Sequence, residues 1–439
     1  MYLKYLIGAV FSFSLVFGML AASQSDFVSI LLWLVPVNIG YFLLLYLSKN
    51  DRSISFYLFI AVVIRISLVF TTPNLSDDYF RFFWDGNVSI QGKNPYDKRP
   101  SELITSSAIE RDHYLFRHLN SPEYHSVYPP FLQYLFKYSM KMGDNRLDKD
   151  LLILKIFYAL FSIGMVFLLP VILKLYDLKP WRAMIYLLNP LVLIEEIGNL
   201  HAEGIMVFFL ALFFLFLKKF PQYAFLPFSS AVVVKLSPLL LLPSILWRLS
   251  LRQRFVFCFG LLLLIILSFY PYADGLMKGG IFKSLTLYFN ALEFNAFGYN
   301  LFKYWGYLIY GYNKIKLLGP LTACISLILI LYFSINKRKG VWESFPLQCL
   351  ILYFTHLFFS PVVHPWYLIP LVFFSVFNRI YFVIVWTTFS MLSYSHYHGG
   401  MNKEQYYLVF IEYAVVLIVL WTDFSQKRFD TVAGAYLTI

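Results

Sequence analysis

Apolar runs of roughly 18 or more residues, the length an α-helix needs to cross a bilayer, recur from one end of this chain to the other. Hydrocarbon offers no water to pair with backbone amides and carbonyls, so only helices and closed barrels can span it. Long apolar runs without strict alternation select helices. Spans are predicted near 3–22, 27–47, 54–71, 150–174, 183–198, 204–217, 255–272, 317–336, 343–360, 365–378, 380–397 and 405–422. The expected fold class is thus an all-α membrane protein, a polytopic helical bundle of about 12 transmembrane helices. Of the 439 residues 59% are hydrophobic and 14% charged, whereas a soluble domain is about a quarter charged. No internal repeat divides the chain, which reads as one membrane domain over 1–439.

The formal net charge of +12 first suggests nucleic acid, but the placement of the charges argues against it. Basic residues sit in short clusters between apolar spans: Lys218 with Lys219, Arg248 with Arg252 and Arg254, Lys337 to Lys339, and Lys427 with Arg428. That is the pattern of cytoplasmic loops. The stretch 221–247 has basic clusters on both sides and Lys235-Leu-Ser-Pro238 in its middle. A re-entrant hairpin of two half-helices broken at Pro238 returns the chain to the same side. With both termini cytoplasmic in a cell inner membrane, nearly every cluster then falls inside. Met1 to Leu20 resembles a secretory signal but is long and weakly charged at its start, so it is read as the first span. Cys258, Cys324 and Cys349 all lie within apolar spans and read as packing residues.

The same parity gathers the polar regions on the opposite, non-cytoplasmic side: a large loop over 72–149, a second over 273–316, and short turns at 199–203, 360–367 and 396–405. Loops this long in a membrane protein usually carry function. Within the first, 103–118 and 130–142 mix aromatic and basic residues, as helices lying in the interface do.

Chemistry concentrates in Ser76-Asp77-Asp78-Tyr79-Phe80-Arg81-Phe82-Phe83-Trp84-Asp85-Gly86, then Gly92-Lys93-Asn94-Pro95-Tyr96, then Tyr128-Pro129-Pro130. Two adjacent carboxylates just beyond the third span repel each other, which tends to raise one pKa and suits a general base. A solvated turn is the plainer reading of an acidic pair, but the aromatic, Gly and Pro residues around it argue for a built pocket. Lys235 within an apolar stretch is costly and points to function, against a snorkelling or ion-paired lysine. His201 and Glu203, two apart, make no metal site by themselves. His364, with Trp366 and Tyr367, divides between an interfacial aromatic belt and a binding role. His396 and His398 read as exposed loop histidines, and His356 as a packing one.

The loop motif resembles the first outer loop of bacterial mannosyltransferases that use polyprenyl-phosphate-mannose, and more distantly the enzyme that adds the first mannose of GPI anchors. Both belong to the GT-C superfamily of integral-membrane glycosyltransferases. The likeness extends through Asn189-Pro190, Asn199-x-His201-x-Glu203, Lys235-Leu-Ser-Pro238 and Ser360-Pro-Val-Val-His364-Pro365-Trp366-Tyr367, and leaves out the first two and last two spans. The resemblance implies an acidic catalytic base, Asp78 or its neighbour Asp77. GPI-type relatives carry Asp-x-Asp where this chain has Ser76, so the choice between the two stays open, as does any need for a divalent metal. No cofactor is otherwise implied.

Transfer from a lipid phosphate needs a base for the acceptor hydroxyl, cations and donors for the departing phosphate, and an apolar groove for the isoprenoid. Candidates to bind substrate are Arg81, His201, Glu203, Lys235, His364 and Tyr367, while Trp84, Asp85, Asn94, Pro95 and Tyr96 shape the loop. The function expected is an inverting transferase that moves a hexose, mannose by the resemblance, from a polyprenyl-phosphate donor. Its partners are a glycan or glycolipid acceptor and membrane lipids, not nucleic acid. The alternatives are a transporter or lipid flippase, since broken helices also mark transporters, and the same fold using another lipid-phosphate sugar such as aminoarabinose. No second-half counterpart of the early long loop supports a transporter's repeated halves.

Overall fold

The computed structural model describes residues 2–428 except 106, 108, 145, 279, 336–341, 343, 401, 402 and 427. The basic residues Lys337 to Lys339 and Lys427, used above to orient the spans, lie outside the described residues.

Six helices are long and apolar enough to cross a membrane: Leu3–Ala21, Phe27–Asn50, Leu147–Leu175, Leu251–Met277, Ile315–Ser334 and Tyr406–Ser425. Their outer faces expose large apolar side chains such as Leu32 (72%), Phe255 (72%) and Phe410 (66%). Contiguous apolar surface of that extent is untenable in water and natural in lipid. Among the described residues the only strand-like pairing is a single parallel bridge between Phe294 and Val362. The protein is a polytopic helical membrane protein.

The other expected spans are shorter or broken helices. Ser55–Leu68, Phe345–Phe359 and Pro365–Ser375 are short apolar helices. Spans 183–198 and 204–217 meet as Pro190–Gly198 and Glu203–Lys219, bent by 112°. The run 380–397 becomes the helix Phe382–Phe389 followed by tight turns to Gly400. Hydropathy registers an apolar run without distinguishing lipid contact from burial in protein. Residues 182–207 are buried throughout, and irregular backbone is tolerated at membrane depth where protein surrounds it.

Each break has a local cause. Pro238 in a continuous helix would clash with the Val234 carbonyl; the helix Phe225–Val234 ends there, Lys235 is extended (φ −155°, ψ 141°), and the chain resumes as a 3-10 helix over Ser237–Leu241 that leads into the α-helix Leu242–Arg248. At the other break Leu200 adopts φ 64°, uncommon for a residue with a Cβ and typical of functional turns. The turn is closed by Asn199 N–H on the Ile194 carbonyl and His201 N–H on the Glu195 carbonyl, both 2.8 Å.

The loop over 72–149 is built on the helix Asp78–Ile90 packed against Pro130–Met142. A Cβ at Gly86 would lie 2.6 Å from the Phe136 carbonyl oxygen, so glycine is what lets the two helices meet. Phe82 stacks on Phe136 beside it at 4.6 Å. The second loop, with helices Gly280–Asn290 and Gly298–Tyr310, reaches back through Phe294. Its N–H donates to the Pro361 carbonyl (3.0 Å) and its carbonyl accepts from Val363 (2.8 Å).

Candidate active site

Asp77 immediately precedes the helix Asp78–Ile90 without a side-chain capping hydrogen bond, and Asp78 is the helix's first residue, where the helix dipole favours negative charge. Partial burial, then the neighbouring Asp78 charge, holds the Asp77 carboxyl above the usual carboxylate range, with nearby His118 acting in the opposite sense. Asp78 turns inward and is 28% exposed. Asn120 Nδ2 donates to its Oδ1 at 2.8 Å, while Oδ2 lies 3.8 Å from Nε2 of His201.

His201 is held on every side. Its Nδ1 is 2.9 Å from Oε2 of Glu195, its Nε2 is 3.5 Å from the Ser76 hydroxyl, and its ring stacks on Trp366 at 3.6 Å and 12°. Trp366 stacks in turn on His364 at 4.3 Å and 6°. Glu195 is fully buried and also accepts from the Tyr394 hydroxyl (2.7 Å) and Asn199 Nδ2 (3.0 Å). The bend at 199–202 and the turn at 360–367 thereby meet the loop carboxylate at one place.

Trp366 also packs edge-on against Tyr367 at 5.9 Å, and Tyr367 leads to Lys235. The lysine pairs with Glu203 Oε1 and lies 4.9 Å from the centre of the Tyr367 ring. Its side chain is 34% exposed, and Leu236 and Leu239 in the same segment are exposed apolar residues. Glu203 is therefore the counter-ion of Lys235 in this structure, and its second oxygen is buried without a hydrogen-bond partner.

Three of the sequence-based roles change. Arg81 does not join this cluster: Nε pairs with Asp85 Oδ1 at 2.9 Å and Nη1 donates to the carbonyls of Ser121 (3.1 Å) and Tyr124 (2.9 Å). One turn separates Arg81 from Asp85, so the pair closes on itself inside the loop. His364 does not serve as a cation. Burial first, then the positive neighbours His201, Lys235 and His396, push its imidazole well below its usual range, leaving a neutral ring with a buried, unpartnered Nδ1. His396 is not simply exposed, for it packs edge-on against Phe294 at 5.1 Å.

The loop-shaping residues form a buried frame. Asp85 also accepts from Ser126 and from Gln133 Nε2 (3.1 Å). Asn94 donates to the Tyr272 carbonyl (3.1 Å) and accepts from Tyr96 N–H (3.0 Å). Tyr96 donates its hydroxyl to the Tyr128 carbonyl (2.5 Å), and Trp84 and Pro95 are buried beside them. Asn120, Glu195, Trp366 and Tyr394 join the site without having been singled out as site residues. For Glu195 a signal existed: an acidic residue in an apolar span is as costly as Lys235. Tyr394, nearly two hundred positions from its partner, carried none. Among the described residues no three His, Cys, Asp or Glu side chains converge as a metal site.

A carboxylate, a partly exposed lysine paired with a buried glutamate and a row of aromatic rings suit the binding and transfer of a sugar. The comparisons bear on that chemistry. No curated protein and no solved structure matches the chain. A family model described as "MptA_B family, alpha-(1->6)-mannopyranosyltransferase, N-terminal domain" matches residues 14–251. The matched region holds Asp77, Asp78, Glu195, His201, Glu203 and Lys235, while His364, Trp366 and Tyr367 come from beyond it. With more than half of its length matched, the chain belongs to this family of GT-C-type mannosyltransferases.

Proposed function

We propose that the protein transfers mannose from a polyprenyl-phosphate-mannose donor to a hydroxyl of a glycan or glycolipid acceptor on the non-cytoplasmic side of the inner membrane. The observation that carries this reading is the approach of Asp78 to His201, 3.8 Å away. His201 stacks on Trp366, Trp366 packs against Tyr367, and Tyr367 borders Lys235, so one row of rings links the loop carboxylate to the lysine. Asp78 takes the proton of the acceptor hydroxyl as the acceptor oxygen bonds to the anomeric carbon. The bond from that carbon to the phosphate oxygen breaks, and its electron pair leaves with the polyprenyl phosphate. Lys235 meets the growing phosphate charge, releasing Glu203 as it does so, while Leu236 and Leu239 lead the isoprenoid toward lipid.

One base and one displacement invert the anomeric carbon. An α-mannoside product, which the family's description names, then calls for a β-linked donor. The test is transfer by purified protein from a panel of polyprenyl-phosphate sugars, with α- and β-mannosyl donors side by side and membrane extract as acceptor. Turnover of the β-mannosyl donor alone is the expected result. Turnover of a nucleotide sugar in its place would remove the lipid-phosphate donor from the mechanism.

A further inference from the structure

A carboxylate that removes a proton must lose it again before the next turnover, and Asp78 stands beside an imidazole with a second carboxylate behind it. Glu195 accepts from Tyr394 and Asn199, and an acceptor role in its contact with His201 as well puts the shared hydrogen on Nδ1. That leaves the Nε2 lone pair on the side of Ser76 (3.5 Å) and Asp78 (3.8 Å). Glu195 and Asp78 thus flank one ring from segments 117 residues apart in the chain. The ring's orientation is fixed by three contacts of different kinds: the carboxylate, the Glu195 carbonyl on the His201 amide, and the face of Trp366.

We propose that His201 and Glu195 form a proton relay behind Asp78. The proposal rests on the base role given to Asp78 above. Before transfer the Ser76 hydroxyl donates to Nε2. After Asp78 has taken the acceptor's proton, a closure of under about 1 Å brings its Oδ2–H into hydrogen-bond reach of Nε2. The proton moves from Oδ2 to Nε2, restoring the Asp78 carboxylate and making His201 an imidazolium. Glu195 stabilises that cation through Nδ1–H, and the Trp366 face stabilises it through its quadrupole. The proton passes to water as products leave. The arrangement follows the logic of a base oriented by a third group: His201 handles the proton, and Glu195 is a positioning residue.

Two measurements test this. Steady-state transfer is compared for the parent, H201Q, E195Q, E195D and E195Q/H201Q, each shown to be monodisperse in detergent. H201Q and E195Q are expected to lower kcat by about 10- to 100-fold with KM for both substrates little changed. E195D recovers most of the loss, and the double variant is no slower than H201Q alone. Full activity of E195Q, or losses that multiply in the double variant, would overturn the relay. The second measurement needs no substrate: 15N-histidine spectra in which the resonances missing from H201Q identify His201. The hydrogen is expected on Nδ1 in the parent and shared between both nitrogens in E195Q. A hydrogen resident on Nε2 of the parent, or no response to E195Q, refutes the relay whatever the donor is. A parent inert towards polyprenyl-phosphate-mannose with the expected spectra would refute only the donor.

Discussion

Asp78→Asn separates chemistry from structure because the two contributions of this side chain differ so much in size. As a base it supplies about 10²- to 10⁴-fold in rate, or about 2.7–5.4 kcal/mol of transition-state stabilisation at 1.36 kcal/mol per decade. Structurally it accepts one hydrogen bond, from Asn120 at 2.8 Å, on a side chain 28% exposed. An asparagine oxygen can still accept that bond, so the loss to folding is below about 1 kcal/mol. The assay pairs the initial rate of transfer at saturating donor with the thermal midpoint in the same detergent. The expected outcome is a rate reduced at least 100-fold and a midpoint within about 4 °C of the parent. Asp77→Asn serves as the comparison, since Asp77 sits on the rim without these partners, and its activity should stay within about fivefold. The substituted Asp77 also has a pH signature. Its carboxyl is raised on folding, so its contribution to stability is present below the ordinary Asp range and lost as pH rises through the folded value. Asp77→Asn should therefore raise the midpoint slightly at neutral pH and leave it unchanged in acid. The reasoning fails if Asp78→Asn keeps a rate within tenfold of the parent, and an inert Asp77→Asn beside it would transfer the base to Asp77.

Lys235→Ala should weaken donor use by about 10- to 150-fold, the worth of one charge-assisted contact, seen as a raised donor KM. It also strands buried Glu203; Lys235→Ala with Glu203→Gln should recover the thermal midpoint without recovering donor affinity. Asp85→Ala leaves the buried Arg81 guanidinium unpaired and should cost about 3–5 kcal/mol, read as a large fall in midpoint with little protein recovered, whereas a rate loss at unchanged stability would give Arg81 a direct role. A membrane-impermeant thiol reagent applied from outside should label a cysteine at Lys93 and not one at Arg252, both exposed; the opposite result inverts the topology.

What the amino-acid sequence determines here is what depends on near neighbours along the chain. Lipid selects long apolar segments, so the helical membrane class, six full-length spans and the break before Pro238 are readable from runs of residues. The loop motif singled out Asp77 and Asp78 just beyond the third span, but that they head a helix, and that Gly86 lets it approach Phe136, came from the structure. Tertiary structure alone decides which polar groups meet. Arg81 looks available in sequence and is consumed by Asp85 one helical turn away. Glu203 looks like a ligand and is the partner of Lys235. His364 looks like a binding residue, and burial first, then its positive neighbours, push its imidazole well below the usual range. The turn at Leu200 and the stack of His201, Trp366 and His364 join segments more than 160 residues apart. A charge's cost and its partner are set by which side of a helix is buried and what lies across from it. No local run of residues records that.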